Sequence, residues 1–215
     1  MLAAGATQGR APASSEAQAA AMVTSMNVSV FDDAGLGLKT VKQAEEVASY
    51  AFSRARIDVH WRTCSVDGEL THAEPCAKAQ YPKELQLRFV RRPHNLKLDT
   101  AGIAYLGADG TGCYSEVFVE PMEDLHKALS VSLANVLGQA AAHEIAHLLL
   151  GTNSHSPTGI MRAHWRRADL LTADWGLLLF NDTQAKTMRK RLDLAALAKA
   201  EKTLVTSRVA DAGGN

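Results

Sequence analysis

The feature that most constrains this chain is a long segment suited to a buried helix, from about Leu129 to Leu149. No charged residue occurs between Ala128 and His143, so the first half of the helix is expected to be buried on most sides. The stretch is too short to span a membrane. Gly151 follows, and glycine is the residue that most often ends a helix in a left-handed conformation. The chain is therefore expected to build a globular core around this helix.

Two histidines and a glutamate interrupt the apolar helix at His143, Glu144 and His147. Residues four apart lie on one helical face, so both imidazoles can reach a single cation. Glu144 lies about 100° around the helix from His143, where it can act as a general base on a water at that cation. The alternative is a pair of surface histidines, but the apolar neighbours indicate burial, where each unpaired polar group costs about 1–3 kcal/mol. The pattern predicts a metal site with Glu144 as the catalytic residue.

The third ligand is found by elimination. A catalytic zinc ion needs three protein ligands and an open position. No glutamate occurs from Leu148 to Ala200, which excludes sites completed by a downstream glutamate. Asp169 and Asp174 are carboxylate candidates, but neither follows a helix-ending turn near the site. His155 does follow such a turn and is favoured, with His164 as the remaining candidate.

The segment from Ala142 to Met161 resembles the signature of the metzincin zinc proteases, with its helix, third histidine and Met-turn. It is similar above all to small secreted bacterial matrixin-like proteins. The resemblance implies that His143, His147 and His155 are zinc ligands and that Glu144 is the catalytic base. It also implies that Met161 forms a hydrophobic floor beneath the metal. The family pattern has two residues on each side of the glycine between the second and third histidines, whereas this chain has three on each side.

The same resemblance implies a role for the segment formed by Gly102, Ile103, Ala104, Tyr105 and Leu106. In metzincins, the edge strand upstream of the active-site helix binds the substrate backbone in extended form, by strand addition. An ordinary sheet edge without a binding role is the alternative interpretation.

The remaining segments predict an α/β (α+β) fold with one mixed twisted sheet. Helical spacing predicts an early helix from Thr40 to Arg56 and a last one from Asp182 to Ala200. Alternating or apolar segments predict five strands: Asn27–Phe31, Ile57–Trp61, Leu85–Val90, Ile103–Leu106 and Glu116–Glu120. With the resemblance, this order implies a zincin-like domain with an antiparallel edge strand, the helix that carries the histidines, a Met-turn and a C-terminal helix.

One domain is expected from residue 26 to residue 200, with an upper part to about 155 and a smaller lower part after it. Residues 1–25 are rich in Ala, Ser and Gln and lack an apolar period, so we expect a flexible leader or the remnant of a trimmed signal. Residues 201–215 are expected to form a frayed tail.

The composition limits the possible binding partners and leaves the redox state of the cysteines open. Lys+Arg and Asp+Glu each number 23, so the net charge is zero and no field attracts a nucleic acid. Cys64 and Cys76 either form a bridge or remain reduced thiols like Cys113. A bridge would indicate an oxidising compartment, and the family resemblance implies a secreted or periplasmic protein.

The first hypothesis from the sequence is a zinc-dependent endopeptidase with one catalytic Zn²⁺ ion. Its partner would be a peptide or protein substrate, with no nucleic acid and no membrane span, and the protein would be a monomer. The alternatives are a non-catalytic zincin-like protein that binds peptides, and a zinc amidase that acts on a non-peptide or cell-wall substrate.

Overall fold

The structure, a computed structural model, describes residues 24–66, 69–70, 73–91, 100–174 and 178–212. Nearly all of the predicted leader lies outside these described residues, as do residues 213–215. The strands are β1 (Thr24–Asp32), β2 (Ile57–Val66), β3 (Glu69–Leu70), β4 (Glu84–Val90), β5 (Gly102–Tyr105) and β6 (Tyr114–Phe118). The helices are α1 (Leu38–Arg54), α2 (Ala73–Cys76), α3 (Val119–Leu129), α4 (Leu133–Leu150), α5 (Arg167–Asp174) and α6 (Asp182–Ala212).

The six strands form one sheet in the order β3-β2-β1-β4-β6-β5. Strands β2, β1, β4 and β6 run parallel to one another, whereas the edge strands β5 and β3 are antiparallel to β6 and β2 respectively. The predicted mixed sheet with an antiparallel edge strand is therefore confirmed. All five predicted strands are present, although their ends differ from the predicted ones. Leu106 lies beyond β5, because the chain turns there and the Gly107 N–H donates to the Thr111 carbonyl at 2.8 Å.

The two faces of β1 contact different layers, because successive side chains of a strand point in opposite directions. Val28 and Val30 belong to the main core, which α1 and α4 complete. Phe31 points the other way and packs against Cys64 and Cys76. These two cysteines form a disulfide with Cα atoms 5.7 Å apart, which resolves the alternative that the sequence left open.

Helix α1 begins two residues before the predicted start, and Thr40 lies inside it rather than at its cap. The buried carboxylate of Asp32 accepts the Leu36 N–H at 3.0 Å and the Gly37 N–H at 2.9 Å. Gly37 has a φ of 81°, a conformation that glycine adopts without strain. The loop before the helix is thus stabilised from the end of β1.

Helix α3 was not predicted, and it replaces the end of the last predicted strand and the start of the predicted long helix. Strand β6 ends at Phe118, so Glu120 lies in α3. The left-handed Ser130, with a φ of 54°, ends α3. Helix α4 then begins after Ser132, whose Oγ accepts the Asn135 N–H at 3.4 Å. The predicted single helix from Leu129 is therefore wrong at its N-terminal end, because a serine cap starts a new helix there.

The C-terminal part of the chain is more helical than expected. Helix α6 runs to Ala212, although the sequence predicted an end at Ala200 and a frayed tail beyond it. No proline or glycine occurs between these two positions, so nothing in the local sequence interrupts the helix. Helix α5 lies in a segment for which the sequence predicted neither a helix nor a strand. None of the helices in the described ranges combines the length and hydropathy needed to cross a membrane.

Candidate metal centre

Helix α4 holds three of the predicted site residues in the interior of the molecule. His143, Glu144 and His147 are 7%, 5% and 4% exposed, because α1, α3, β5 and β6 all pack against this helix. Gly151 ends the helix, as predicted. Its left-handed φ of 65° lets its N–H donate to the His147 carbonyl at 2.9 Å. The chain therefore turns back one helical turn beyond His147.

This turn brings His155 against the two helical histidines. The His155 ring stacks on the His143 ring with centroids 5.2 Å apart, and it meets the His147 ring edge-on at 5.0 Å. The Nε2 atoms of His143 and His147 are 2.9 Å apart. One nitrogen from each of the three rings lies within 4.8 Å of the other two. The longer spacing on both sides of Gly151 is thus compatible with a group of three imidazoles.

Backbone carbonyl groups determine where the imidazole hydrogens of α4 lie. The Nδ1 atom of His143 is 2.7 Å from the Ile160 oxygen, and Nδ1 of His147 is 2.7 Å from the Thr152 oxygen. A carbonyl oxygen only accepts, so each Nδ1 carries a hydrogen and donates it. In neutral rings, both Nε2 atoms then present lone pairs, which face each other at 2.9 Å. A cation shared by the two nitrogens would relieve this contact.

The donor set fits a zinc ion. Two nitrogens bound to one zinc ion at about 2.0–2.1 Å are at most roughly 4.2 Å apart, so the 2.9 Å pair is already within range. His155 is exposed on the loop after Gly151, and its nitrogen lies within 4.8 Å of the other two. Three imidazoles leave the fourth position of a tetrahedral zinc site open, as catalytic sites require.

Burial favours the neutral form of all three imidazoles, which is the form that binds a metal. Burial, followed by the neighbouring His147, lowers the pKa of His143 to about 3. Burial also lowers the pKa of His147 and that of His155. The same effect raises the pKa of Glu144 to about 8. A cation close to this carboxyl group would favour the ionised form that a general base requires.

Glu144 belongs to α4, and its side chain lies beside Gly102 of the edge strand β5. A Cβ atom at Gly102 would lie 2.7 Å from Cγ and 2.8 Å from Cδ of Glu144, and 2.5 Å from the Glu116 carbonyl oxygen. Only a residue without a side chain fits between these groups. Gly102, predicted as part of a substrate-binding strand, therefore also leaves room for the predicted base.

Replacing Gly102 by alanine should destabilise the protein by roughly 1–3 kcal/mol, because the added methyl group overpacks a closed space. Chemical denaturation of the metal-free protein measures this cost. In a Glu144→Ala background the cost should be smaller, because only the contact with the Glu116 carbonyl remains.

Gly107→Ala is the matched control for this substitution. Its new Cβ would meet the Asp109 side-chain oxygen at 2.9 Å, and that exposed side chain, bonded to the Thr111 N–H and hydroxyl, can shift without affecting Glu144. We expect a cost of about 0.5 kcal/mol or less. An equal cost of Gly102→Ala with and without the Glu144 side chain would show that the two residues do not compete for space.

A cavity of about 350 Å³ opens beside His143 and Glu144. One wall is formed by α3, with the apolar Pro121, Met122 and Leu125 beside the acidic Asp124. The segment 162–165, which follows Met161, forms another wall. The unpredicted helix α3 therefore lines much of the cavity next to the candidate metal ligands.

The other sequence candidates occupy different positions. Met161 is buried directly after Ile160, and its carbonyl accepts the Ser156 N–H at 2.8 Å. His164 lines the cavity but does not belong to the group of three nitrogens. Asp169 pairs with Arg162 at 3.2 Å and accepts the Arg166 N–H at 2.7 Å. Asp174 ends α5.

Sequence reasoning missed the groups that orient the ligands. The carbonyls of Thr152 and Ile160 were not predicted, since every residue carries the same carbonyl group. Trp165 was not predicted either, although it donates its indole N–H to the Ile160 oxygen at 3.1 Å. Its position four residues after Met161 was the only local signal.

No protein-family model and no curated protein sequence matches this chain. Among solved structures, it is similar to the crystal structure of archaemetzincin from Methanopyrus kandleri, with 16% sequence identity. The alignment covers 81% of this chain and 99% of that chain, with a TM-score of 0.50. At this identity the likeness establishes the fold alone. The chain therefore has a metzincin-like fold.

Proposed function

We propose that this protein is a zinc-dependent peptidase that hydrolyses peptide bonds. The observation that carries the proposal is the group of three imidazoles, with two Nε2 lone pairs facing each other at 2.9 Å beside the buried Glu144. A purely structural zinc site is usually closed by four protein ligands, whereas three ligands and an adjacent carboxyl group are typical of hydrolytic sites. The fold shared with archaemetzincin supports the same class of activity.

The residues of the site have separate roles in this proposal. His143, His147 and His155 hold the zinc ion, which when bound supplies a Lewis acid and activates water. Glu144 takes a proton from the attacking water and passes it to the leaving amine. The missing side chain at Gly102 leaves room for this carboxyl group beside the edge strand of the sheet. The buried Met161 would form a hydrophobic floor beneath the ligands, next to the Ile160 carbonyl.

The substrate would lie along β5. Among the described strands, β5 pairs only with β6, so its other edge can add an extended peptide by backbone hydrogen bonds. Gly102, Ile103, Ala104 and Tyr105 form this edge, and Leu106 follows it. The cavity next to Glu144 would receive one apolar side chain of the peptide beside the cleaved bond.

Cleavage of unfolded protein and of a mixed peptide library by the purified wild type tests this proposal. We expect cleavage that stops with a chelator, returns with zinc, and favours apolar residues next to the cut. The control is the metal-stripped protein supplied with Mg²⁺, which prefers oxygen ligands and should restore nothing. Metal-dependent peptide binding without cleavage would indicate the non-catalytic alternative. Hydrolysis of amide bonds only in cell-wall fragments would indicate the amidase.

We further propose that the protein works as a secreted or periplasmic monomer. The Cys64–Cys76 bridge supports an oxidising compartment, and a single chain supplies all three imidazoles. Thiol titration of protein isolated from its host without reductant should find Cys113 as the reactive cysteine. Three reactive thiols in that material would contradict the compartment, and a dimer in solution would contradict the monomer.

A further inference from the structure

The carbonyl group of Ile160 serves two donors at once. It accepts the His143 Nδ1–H at 2.7 Å and the Trp165 indole N–H at 3.1 Å. A carbonyl oxygen has two lone pairs, so both of its acceptor positions are used. The same peptide segment is held from its other side, since the Ile160 N–H donates to the Leu179 carbonyl at 3.1 Å. This oxygen therefore occupies a closely defined position next to His143.

Trp165 also contacts the His143 ring directly. The two rings meet edge to face, with centroids 5.8 Å apart and an interplanar angle of 85°. Trp165 is half-buried, packs against the main core and lines the cavity beside Glu144. Its indole thus limits both the rotation of the His143 ring and the movement of the carbonyl to which that ring donates.

We propose that Trp165 is a positioning residue for His143, keeping the hydrogen on Nδ1 and leaving Nε2 for a metal. This inference rests on the metal site of the proposed function, but it does not depend on which reaction that site performs. Groups that accept the second hydrogen of a ligating histidine fix its tautomer and orientation, and their loss typically weakens metal binding 10- to 100-fold. Trp165 acts one step further out, by fixing the acceptor itself.

Metal affinity gives the first test. Trp165→Phe keeps an aromatic ring beside His143 but removes the indole N–H. We expect its zinc dissociation constant, measured by competition with a chelator, to rise about tenfold. The matched control is Trp61→Phe, because Trp61 is also half-buried and donates one indole hydrogen bond, to Ser49 Oγ at 2.6 Å, away from the site. This control should change the constant less than twofold.

The tautomer of His143 gives a second test, which needs neither zinc nor a substrate. NMR spectra of the metal-free protein with ¹⁵N-labelled histidine should show only the Nδ1–H form of His143 in the wild type and in Trp61→Phe. Trp165→Phe should show a mixture of both tautomers. Thermal unfolding of each sample reports general damage, and Trp165→Tyr replaces Trp165→Phe if the latter unfolds.

The outcomes separate this inference from the proposed function. A single His143 tautomer in folded Trp165→Phe, or an increase in its zinc constant no larger than that of Trp61→Phe, would overturn the positioning role. Absence of peptide cleavage by the wild type, with both shifts observed, would overturn the peptidase assignment and leave the positioning role intact.

Discussion

Replacing Glu144 by glutamine should lower the rate of peptide hydrolysis by roughly 10²- to 10⁴-fold while zinc stays bound. Glutamine keeps the shape of the side chain that packs against Gly102, but it cannot take a proton from water. The three histidines are unchanged, so the metal content should equal that of the wild type. The value of kcat at saturating peptide and the zinc content of the same samples measure the two effects.

Glu45→Gln is the matched control for this prediction. Glu45 is also 5% exposed, but it lies on α1, pairs with Lys42 at 2.7 Å and lines neither the cavity nor the histidine group. This variant should keep its kcat. Wild-type turnover by zinc-loaded Glu144→Gln would contradict the role of Glu144 as base, and loss of zinc from that variant would assign it a structural role.

Replacing His147 by alanine should remove the bound metal together with the thermal stabilisation that the metal provides. Two imidazoles remain, so the loss of zinc affinity should exceed the roughly 10- to 100-fold effect of losing an outer-shell partner. At zinc a hundred times above its dissociation constant, the wild type gains about 2.7 kcal/mol, or roughly 5–10 °C in Tm. The Tm of His147→Ala should not respond to zinc. Thermal unfolding with and without zinc measures this difference.

Two further alanine variants identify the third ligand. His155→Ala should behave like His147→Ala, because the His155 nitrogen lies within 4.8 Å of the other two. His164→Ala should keep the response to zinc, because His164 lines the cavity outside that group. The opposite pattern, with zinc lost from His164→Ala and kept by His155→Ala, would make His164 the ligand.

Local patterns predicted the part of α4 that carries the two histidines, although not its start at Leu133. His143 and His147 share a face because they are four residues apart, and Gly151 ends the helix because glycine adopts a φ of 65° without strain. Both properties depend on neighbouring residues alone. Five of the six described strands followed in the same way from alternating and apolar segments, whereas the two-residue β3 was not predicted.

Helix α3 shows where local patterns were insufficient. Its first turn contains Pro121, which a helix tolerates there because the missing N–H has no partner in that turn. The buried Val119 and Met122 pack against the core, so tertiary contact stabilises a helix that the sequence only weakly favours. The wall that α3 contributes to the cavity could not be predicted for this reason.

The sequence by itself determined the spacing of the candidate ligands, the end of the helix that carries two of them, the adjacent carboxyl group and the mixed α/β class. Helical and strand periodicity act within a few residues. Only the tertiary structure decided which imidazole nitrogens face each other, because the Ile160 carbonyl that orients His143 lies 17 residues away. A backbone carbonyl is the same in every residue, so no sequence pattern marks it. The contact of Gly102 with Glu144 likewise exists only because the sheet places β5 beside α4.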